Sequence, residues 1–280
     1  MMYSQISIWA FRDRKIMEAM TMARQAGFAG IELAIGETGE ITPDTPANEL
    51  HNYAAAAKAC GLKIGSVASG MLWGVNPASK DKATRDRAVE LTKKSLAATA
   101  ELGAKHLLVL IGHVDVFFMP GSEVVPYDDC YKRSLDFCRE IGKAAAKLGV
   151  TACVENVWNR FLLSPMEFAE FIDTVKSKAV GVYFDVGNVW NFGYPQHWIE
   201  ILGKRIGRVH VKDFRRAVGN ANGFCNLLDG DVPLKESLRL LKKVRYSGPV
   251  TAEVAPGRED VDDMAFLNRT AERLASLLPK

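Results

Sequence analysis

The sequence predicts an α/β protein, a single (β/α)8 TIM barrel spanning residues 1–280, on three observations. Short apolar, often β-branched runs alternate eight times with longer stretches of helical spacing rich in Ala, Leu, Lys and Glu. No Pro/Gly/Ser linker or low-complexity run divides the chain. The segment after the first run reads Trp9-Ala10-Phe11-Arg12-Asp13, without the glycine-rich phosphate turn typical of the main rival, an open doubly wound sheet. Length agrees with this reading, because 280 residues is ordinary for a barrel, a fold that commonly takes about 250.

In chain order, strands are expected at Gln5–Ala10, Gly30–Ile35, Lys63–Ser69, His106–Gly112, Thr151–Val157, Gly181–Val186, Gly207–Phe214 and Val250–Ala255. Helices are expected at 13–27, 44–60, 79–102, 127–148, 164–177, 195–204, 234–246 and 260–279. Gly27, Gly61, Gly103 and Gly149 each follow a helical stretch, as left-handed C-terminal caps do. Ser164-Pro165 places a capping hydroxyl before a proline at the first helical position. Two strand-to-helix loops are long, 70–78 and 113–126, and in a barrel both lie on the catalytic C-terminal face. Trp73 in one, with Phe117 and Phe118 in the other, suits a lid over a small polar substrate; cover for the core or a subunit contact is the other use of such aromatics.

Composition narrows the function classes. A hydrophobic fraction of 48% with 25% charged residues is that of an ordinary soluble domain. The net charge of +3, with basic and acidic residues interspersed, argues against a nucleic-acid or membrane-surface partner. Five scattered cysteines form no CxxC pair, so reduced thiols and a cytoplasmic location are expected. The first fifteen residues carry no basic region ahead of a long apolar stretch, so neither a signal peptide nor a transmembrane span is expected.

The chemistry is signalled by ionisable residues inside apolar strand runs. Glu155, Asp185, His210 and Glu253 fall at the C-terminal ends of predicted strands five to eight. A lone buried carboxylate costs far more than one hydrogen bond returns, and three beside an imidazole would repel one another. A divalent cation resolves both problems. Three oxygen donors with one histidine suit Mn²⁺, Mg²⁺ or Co²⁺ better than a closed structural zinc site. Mn²⁺ is the expected ion, with Mg²⁺, Co²⁺ or Zn²⁺ as alternatives. Glu32, in the second strand, is expected to point towards the barrel mouth in a structural role. His113, ending the fourth strand, is a candidate substrate contact. His51, His106 and His197 are expected at surface or core.

At these residues the chain resembles the xylose-isomerase-like barrel superfamily, specifically its sugar and sugar-phosphate epimerase/isomerase branch. The marks are Gly30-Ile31-Glu32-Leu33, Val154-Glu155-Asn156, Phe184-Asp185-Val186-Gly187-Asn188, Val209-His210-Val211-Lys212-Asp213 and Thr251-Ala252-Glu253-Val254. The resemblance implies one metal held by Glu155, Asp185, His210 and Glu253, with both glutamates also catalytic. It further implies 3-epimerisation of a ketose through a cis-enediolate, one glutamate removing the C3 proton and the other returning one to the opposite face. A homo-oligomer, dimer or tetramer, is implied as well. Free-ketose 3-epimerases carry a histidine three residues after the strand-six aspartate, where this chain has Asn188; that form is similar to L-ribulose-5-phosphate 3-epimerases. Lys212, Arg215, Arg216 and Arg258 on the last two strand loops favour a phosphorylated sugar, with solvated loop charge as the other use of such residues. Arg216, six residues past the histidine, matches an arginine that contacts substrate in related epimerases. Asn188, Arg216, Lys212, His113 and Trp73 are therefore the expected substrate contacts.

Three rival readings differ in what they require. An endonuclease IV-type nuclease needs further histidines, including one at position 188 and an Asp-x-His after strand seven, which are missing, and a stronger positive charge. An inosose dehydratase-type lyase would use the same metal and enediolate to expel a hydroxyl. A non-catalytic sugar-binding barrel would not need an intact quartet.

Overall fold

The computed structural model describes residues 1–279. Its strands are β1 (Met2–Ser7), β2 (Gly30–Ala34), β3 (Lys63–Ala68), β4 (His106–Val109), β5 (Thr151–Glu155), β6 (Val180–Asp185), β7 (Ile206–Val211), a short hairpin of β8 (Asp213–Phe214) with β9 (Phe224–Cys225), and β10 (Gly248–Ala252). Helices are α1 (Ile16–Gln25), α2 (Ala47–Ala59), α3 (Lys82–Glu101), α4 (Tyr127–Leu148), α5 (Pro165–Val175), α6 (Val186–Trp190), α7 (Pro195–Leu202), α8 (Leu234–Lys243) and α9 (Asp263–Leu277). Eight parallel strands close into a barrel in the order β1-β10-β7-β6-β5-β4-β3-β2, so the predicted fold class is the observed one. No helix among the described residues is long and apolar enough to cross a membrane.

Local chemistry explains the element ends. Gly27, Gly61, Gly103 and Gly149 all adopt positive φ, the conformation a left-handed cap requires. The Ser164 hydroxyl accepts a hydrogen bond from Glu167 N, and Pro165 occupies the first turn of α5. Aliphatic strand residues such as Ile31, Leu33, Val67, Val154, Val182 and Val209 are fully buried, and the apolar area they withdraw from water is the main source of the barrel's stability.

Four strands differ from expectation by three residues at an end: β4 stops at Val109 rather than Gly112, β10 at Ala252 rather than Ala255, and the first and seventh differ as follows. The first is Met2–Ser7 instead of residues 5–10, because its parallel register with β10 begins at Met2 opposite Gly248. Ile8–Phe11 instead form a 3-10 turn. The seventh ends at Val211 rather than continuing to Phe214; Asp213 and Phe214 leave the barrel and pair antiparallel with Cys225 and Phe224. The Asp213 carboxylate accepts from Phe214 N, Gly230 N and Val232 N, so one buried side chain ties both ends of the loop together.

Beneath the mouth, the barrel interior holds a polar layer instead of an aliphatic one. Gln5 Nε2 donates to Ser66 Oγ at 2.8 Å and to Thr251 Oγ1 at 2.9 Å. Ser66 Oγ and the Tyr183 hydroxyl both donate to Glu32 Oε2. All these residues are fully buried, and the network leaves its polar groups partnered, as burial demands.

Candidate metal centre

Parallel pairing sets the quartet side by side. Glu155 lies opposite Tyr183 in the β5–β6 register, Asp185 opposite His210 in β6–β7, and His210 opposite Thr251 in β7–β10. Glu253 follows β10 directly, its backbone N–H donating to Val211 O at 3.0 Å. One ligand atom from each of Glu155, Asp185, His210 and Glu253 lies within 4.8 Å of all the others.

Each side chain is aimed by its surroundings. Asp185 is the N-cap of α6 and accepts from Asn188 N at 2.7 Å. Asn156 clamps its backbone in both directions, accepting from Asp185 N and donating to Asp185 O, each at 2.8 Å. The helix starts so close to β7 that a Cβ on Gly187 would sit 2.5 Å from Lys212 Cγ and 2.6 Å from Lys212 O, which restricts that position to glycine. His210 Nε2 lies 2.8 Å from Glu32 Oε1. Because that carboxylate accepts, Nε2 carries the hydrogen and Nδ1 is the nitrogen turned to the cluster, 2.8 Å from Glu253 Oε2 and 3.4 Å from Glu155 Oε1. Glu32 is thus buried below the cluster rather than directed at the mouth, and it holds the His210 ring.

The donor set fits a divalent cation. Asp185 Oδ2 and Glu253 Oε2 are buried and accept no hydrogen bond, although the Lys212 ammonium lies 3.0 Å and 2.8 Å from them. Lys212 offers one positive charge to a cluster of three carboxylates, and a divalent cation would complete the compensation. Burial pushes the Glu155 carboxyl up to about 7, helped by Glu253 and opposed by His210. Burial likewise raises Asp185, against the pull of Lys212. For Glu253 burial acts upward too, but Lys212 and His210 outweigh it and hold the carboxyl below its usual range. Burial alone would lower His210, yet Glu32 and Glu253 keep it well above an ordinary histidine.

Above the cluster is a cavity of about 200 Å³ whose wall includes Glu155, Glu253, Asn188, Lys212, Trp73 and Phe224. Asp185 and His210 are completely buried beneath it. Of the expected substrate contacts, Asn188, Lys212 and Trp73 reach the wall, whereas His113 and Arg216 do not. His113 sits behind Trp73, ring centroids 6.2 Å apart, with Asn76 holding its backbone. The Arg216 guanidinium lies over the rings of Trp190 and Tyr194, at 4.8 and 5.1 Å. Arg215 donates to Asp229 O, and Arg258 is exposed. The basic group expected to meet a phosphate is therefore not assembled at this cavity; only Lys212 lines it, already paired with Asp185 and Glu253.

Aromatic rings form the rim. Trp73 meets Phe118 edge-on at 5.0 Å, Phe118 meets Phe117 at 5.2 Å, and Phe117 approaches Trp158 at 6.1 Å. Trp158, fixed by its Nε1 donating to Asn188 O, then contacts Phe214 and Phe224. Sequence reading missed Asn156, Trp158 and Phe224. Asn156 adjoins Glu155 and Trp158 follows three residues on, a usable signal, but the hairpin carrying Phe224 had none.

A closed eight-stranded barrel with a carboxylate–histidine cluster at the C-terminal ends of its strands defines the class of protein. The chain belongs to the xylose isomerase-like TIM barrel family, whose sequence profile matches residues 20–270. Among relatives, it is 25% identical over 254 residues to SgbU of Escherichia coli (strain K12), provisionally named an L-ribulose-5-phosphate 3-epimerase, covering 87% of this chain and 85% of that one. It is 22% identical over 242 residues to the L-ribulose-5-phosphate 3-epimerase UlaE of Salmonella heidelberg (strain SL476), covering 85% and 81%. In structure it resembles a D-psicose 3-epimerase crystallised in the presence of D-fructose, with a TM-score of 0.81, 18% identity, and coverage of 98% of this chain and 97% of that one.

Proposed function

We propose that the protein is an isomerase, a divalent-metal-dependent 3-epimerase of a ketose or ketose phosphate. The observation that carries this is the division of the quartet: Glu155 and Glu253 line the cavity, whereas Asp185 and His210 lie wholly beneath it. Two ligands anchor, and two also face substrate. A bound ion, Mn²⁺ by preference, would polarise the ketose carbonyl and neighbouring hydroxyl and so acidify the C3 hydrogen.

The chain's own residues supply the proton transfers. Glu155 and Glu253 come from strands separated by β6 and β7, which supports approach to C3 from opposite faces. The ionised glutamate takes the C3 proton, and the C–H electron pair moves towards the carbonyl oxygen to give a cis-enediolate. The protonated glutamate then delivers its proton to the other face of C3. Trp73, Phe117 and Phe118 close over the mouth and limit water. Names of relatives support the class: SgbU and UlaE are named for 3-epimerisation of a phosphorylated pentulose and the structural neighbour for that of a free hexulose. The protein is expected to act in the cytoplasm as a dimer or tetramer.

The test is solvent-hydrogen exchange. The Mn²⁺-loaded protein should incorporate deuterium at C3 of its ketose and yield the C3 epimer without loss of a hydroxyl. Glu155→Gln and Glu253→Gln should each reduce the rate about a hundredfold or more. Unchanged exchange in both variants would refute the two-base mechanism.

A further inference from the structure

A second, larger cavity of about 590 Å³ opens beside the first. The two share Phe117, Val157 and Trp158 as a common wall, so a substrate that extends out of the first meets the second next. The reaction cavity holds about 200 Å³, so a substrate larger than a single sugar unit must extend beyond it.

The chemistry of the second cavity suits an uncharged, polyhydroxylated group. Phe117, Trp158 and Phe192 supply ring faces, while Asn191 and Asn222 supply amides that both donate and accept. Asn191 also donates to Gly219 O at 3.5 Å, tying the α6 loop to the loop after β8. Its single lining cation, Arg160, is ion-paired with Asp115 at 3.0 Å. Nothing else in the lining would neutralise a phosphate dianion, which needs several charge-assisted donors.

We infer that this cavity is a subsite for the unreacting part of the substrate, and that this part is a neutral glycosyl group. The preferred substrate is then a glycosylated ketose instead of a free ketose or its phosphate. This rests on the ketose 3-epimerase reading above and narrows it. In the complex the ketose unit sits over Glu155 and Glu253, and the glycosyl unit crosses over the Phe117–Trp158 wall to lie against Phe192.

The test uses the full chain loaded with Mn²⁺ and a matched set of sugars: fructose, fructose 6-phosphate, and the glucosyl-fructoses joined through O1, O5 or O6. Each keeps the C2 carbonyl and C3 hydrogen. Calorimetric binding and C3 deuterium exchange are measured for the wild type and for the Phe192→Ala/Asn222→Ala double variant. At least one glucosyl-fructose should bind about tenfold or more tightly than both fructose and fructose 6-phosphate, and the double variant should erase that ratio. Equal or tighter binding of fructose or fructose 6-phosphate overturns the inference, as does failure of every glucosyl-fructose to bind at millimolar concentration. So does a double variant that alters the oligomeric state but leaves the sugar preference intact, since the cavity would then be covered by a second copy. A binding preference without exchange on any sugar leaves the subsite standing and refutes the epimerase reading.

Discussion

His210 shows how far a single residue's neighbours decide what it can do. Its Nε2 is committed to Glu32, and Glu32 is in turn committed to Ser66 and Tyr183. This chain fixes the ring's orientation and leaves Nδ1 as the only nitrogen able to serve as a ligand. Glu32→Gln replaces one accepting oxygen with a donor amide, so the Nε2–H loses its partner or the ring turns. Mn²⁺ affinity should fall about 10- to 100-fold while the barrel remains folded. Titration calorimetry with circular dichroism checks this, and an unchanged affinity would show that Glu32 serves only the barrel's packing. The expectation that Glu32 points towards the mouth is corrected by its position below the cluster, because alternation along a strand gives the face and not the depth.

At the scale of elements, the loop from Lys212 to Pro233 differs most from expectation. A continuous seventh strand was legible as an apolar run through Phe214, yet the chain turns out at Lys212 and returns through β8 and β9. The turn depends on Asp213, whose buried carboxylate receives three backbone N–H groups. Asp213→Ala leaves those donors without partners, at a cost of about 1–3 kcal/mol for each one that water cannot reach. Lower thermal stability and faster proteolysis within residues 215–230 are the expected outcome. The same variant should loosen Phe224 against Trp158 and widen the cavity mouth. A variant as stable and protease-resistant as the wild type would mean that the β8–β9 pairing holds the loop unaided.

Over the whole molecule, acid stability should reflect the opposite end of the barrel from the site. His106, at the start of β4, is pushed down to about 3, mainly by burial and further by Arg208, and its Nδ1 has no hydrogen-bond partner. In the unfolded chain it titrates near 6.5, so below that pH the unfolded state gains a proton that the folded state refuses. Stability contributed by neutral His106 is therefore complete above about pH 6.5. It falls by at most about 1.4 kcal/mol per pH unit down to about pH 3. Urea midpoints measured from pH 7 to 4 should drop more steeply for the wild type than for His106→Leu. Parallel curves would exclude this histidine as the source.

Sequence by itself determined the barrel, the alternation of its eight strands with eight main helices, and which four ionisable residues gather at the strand ends. These depend on local rules: strand and helix periodicity, glycine and serine at helix ends, and the improbability of four unpartnered ionisable groups at consecutive strand ends. Tertiary structure alone decided which of the four face the cavity and which lie beneath it. It also decided that Lys212 joins the carboxylates, and that Arg216 and His113 stand away from the wall. It alone placed a second cavity against the first. All of these depend on strand register, closure of the barrel and the path of loops between strands, where contacts join residues distant in sequence and no local period records them.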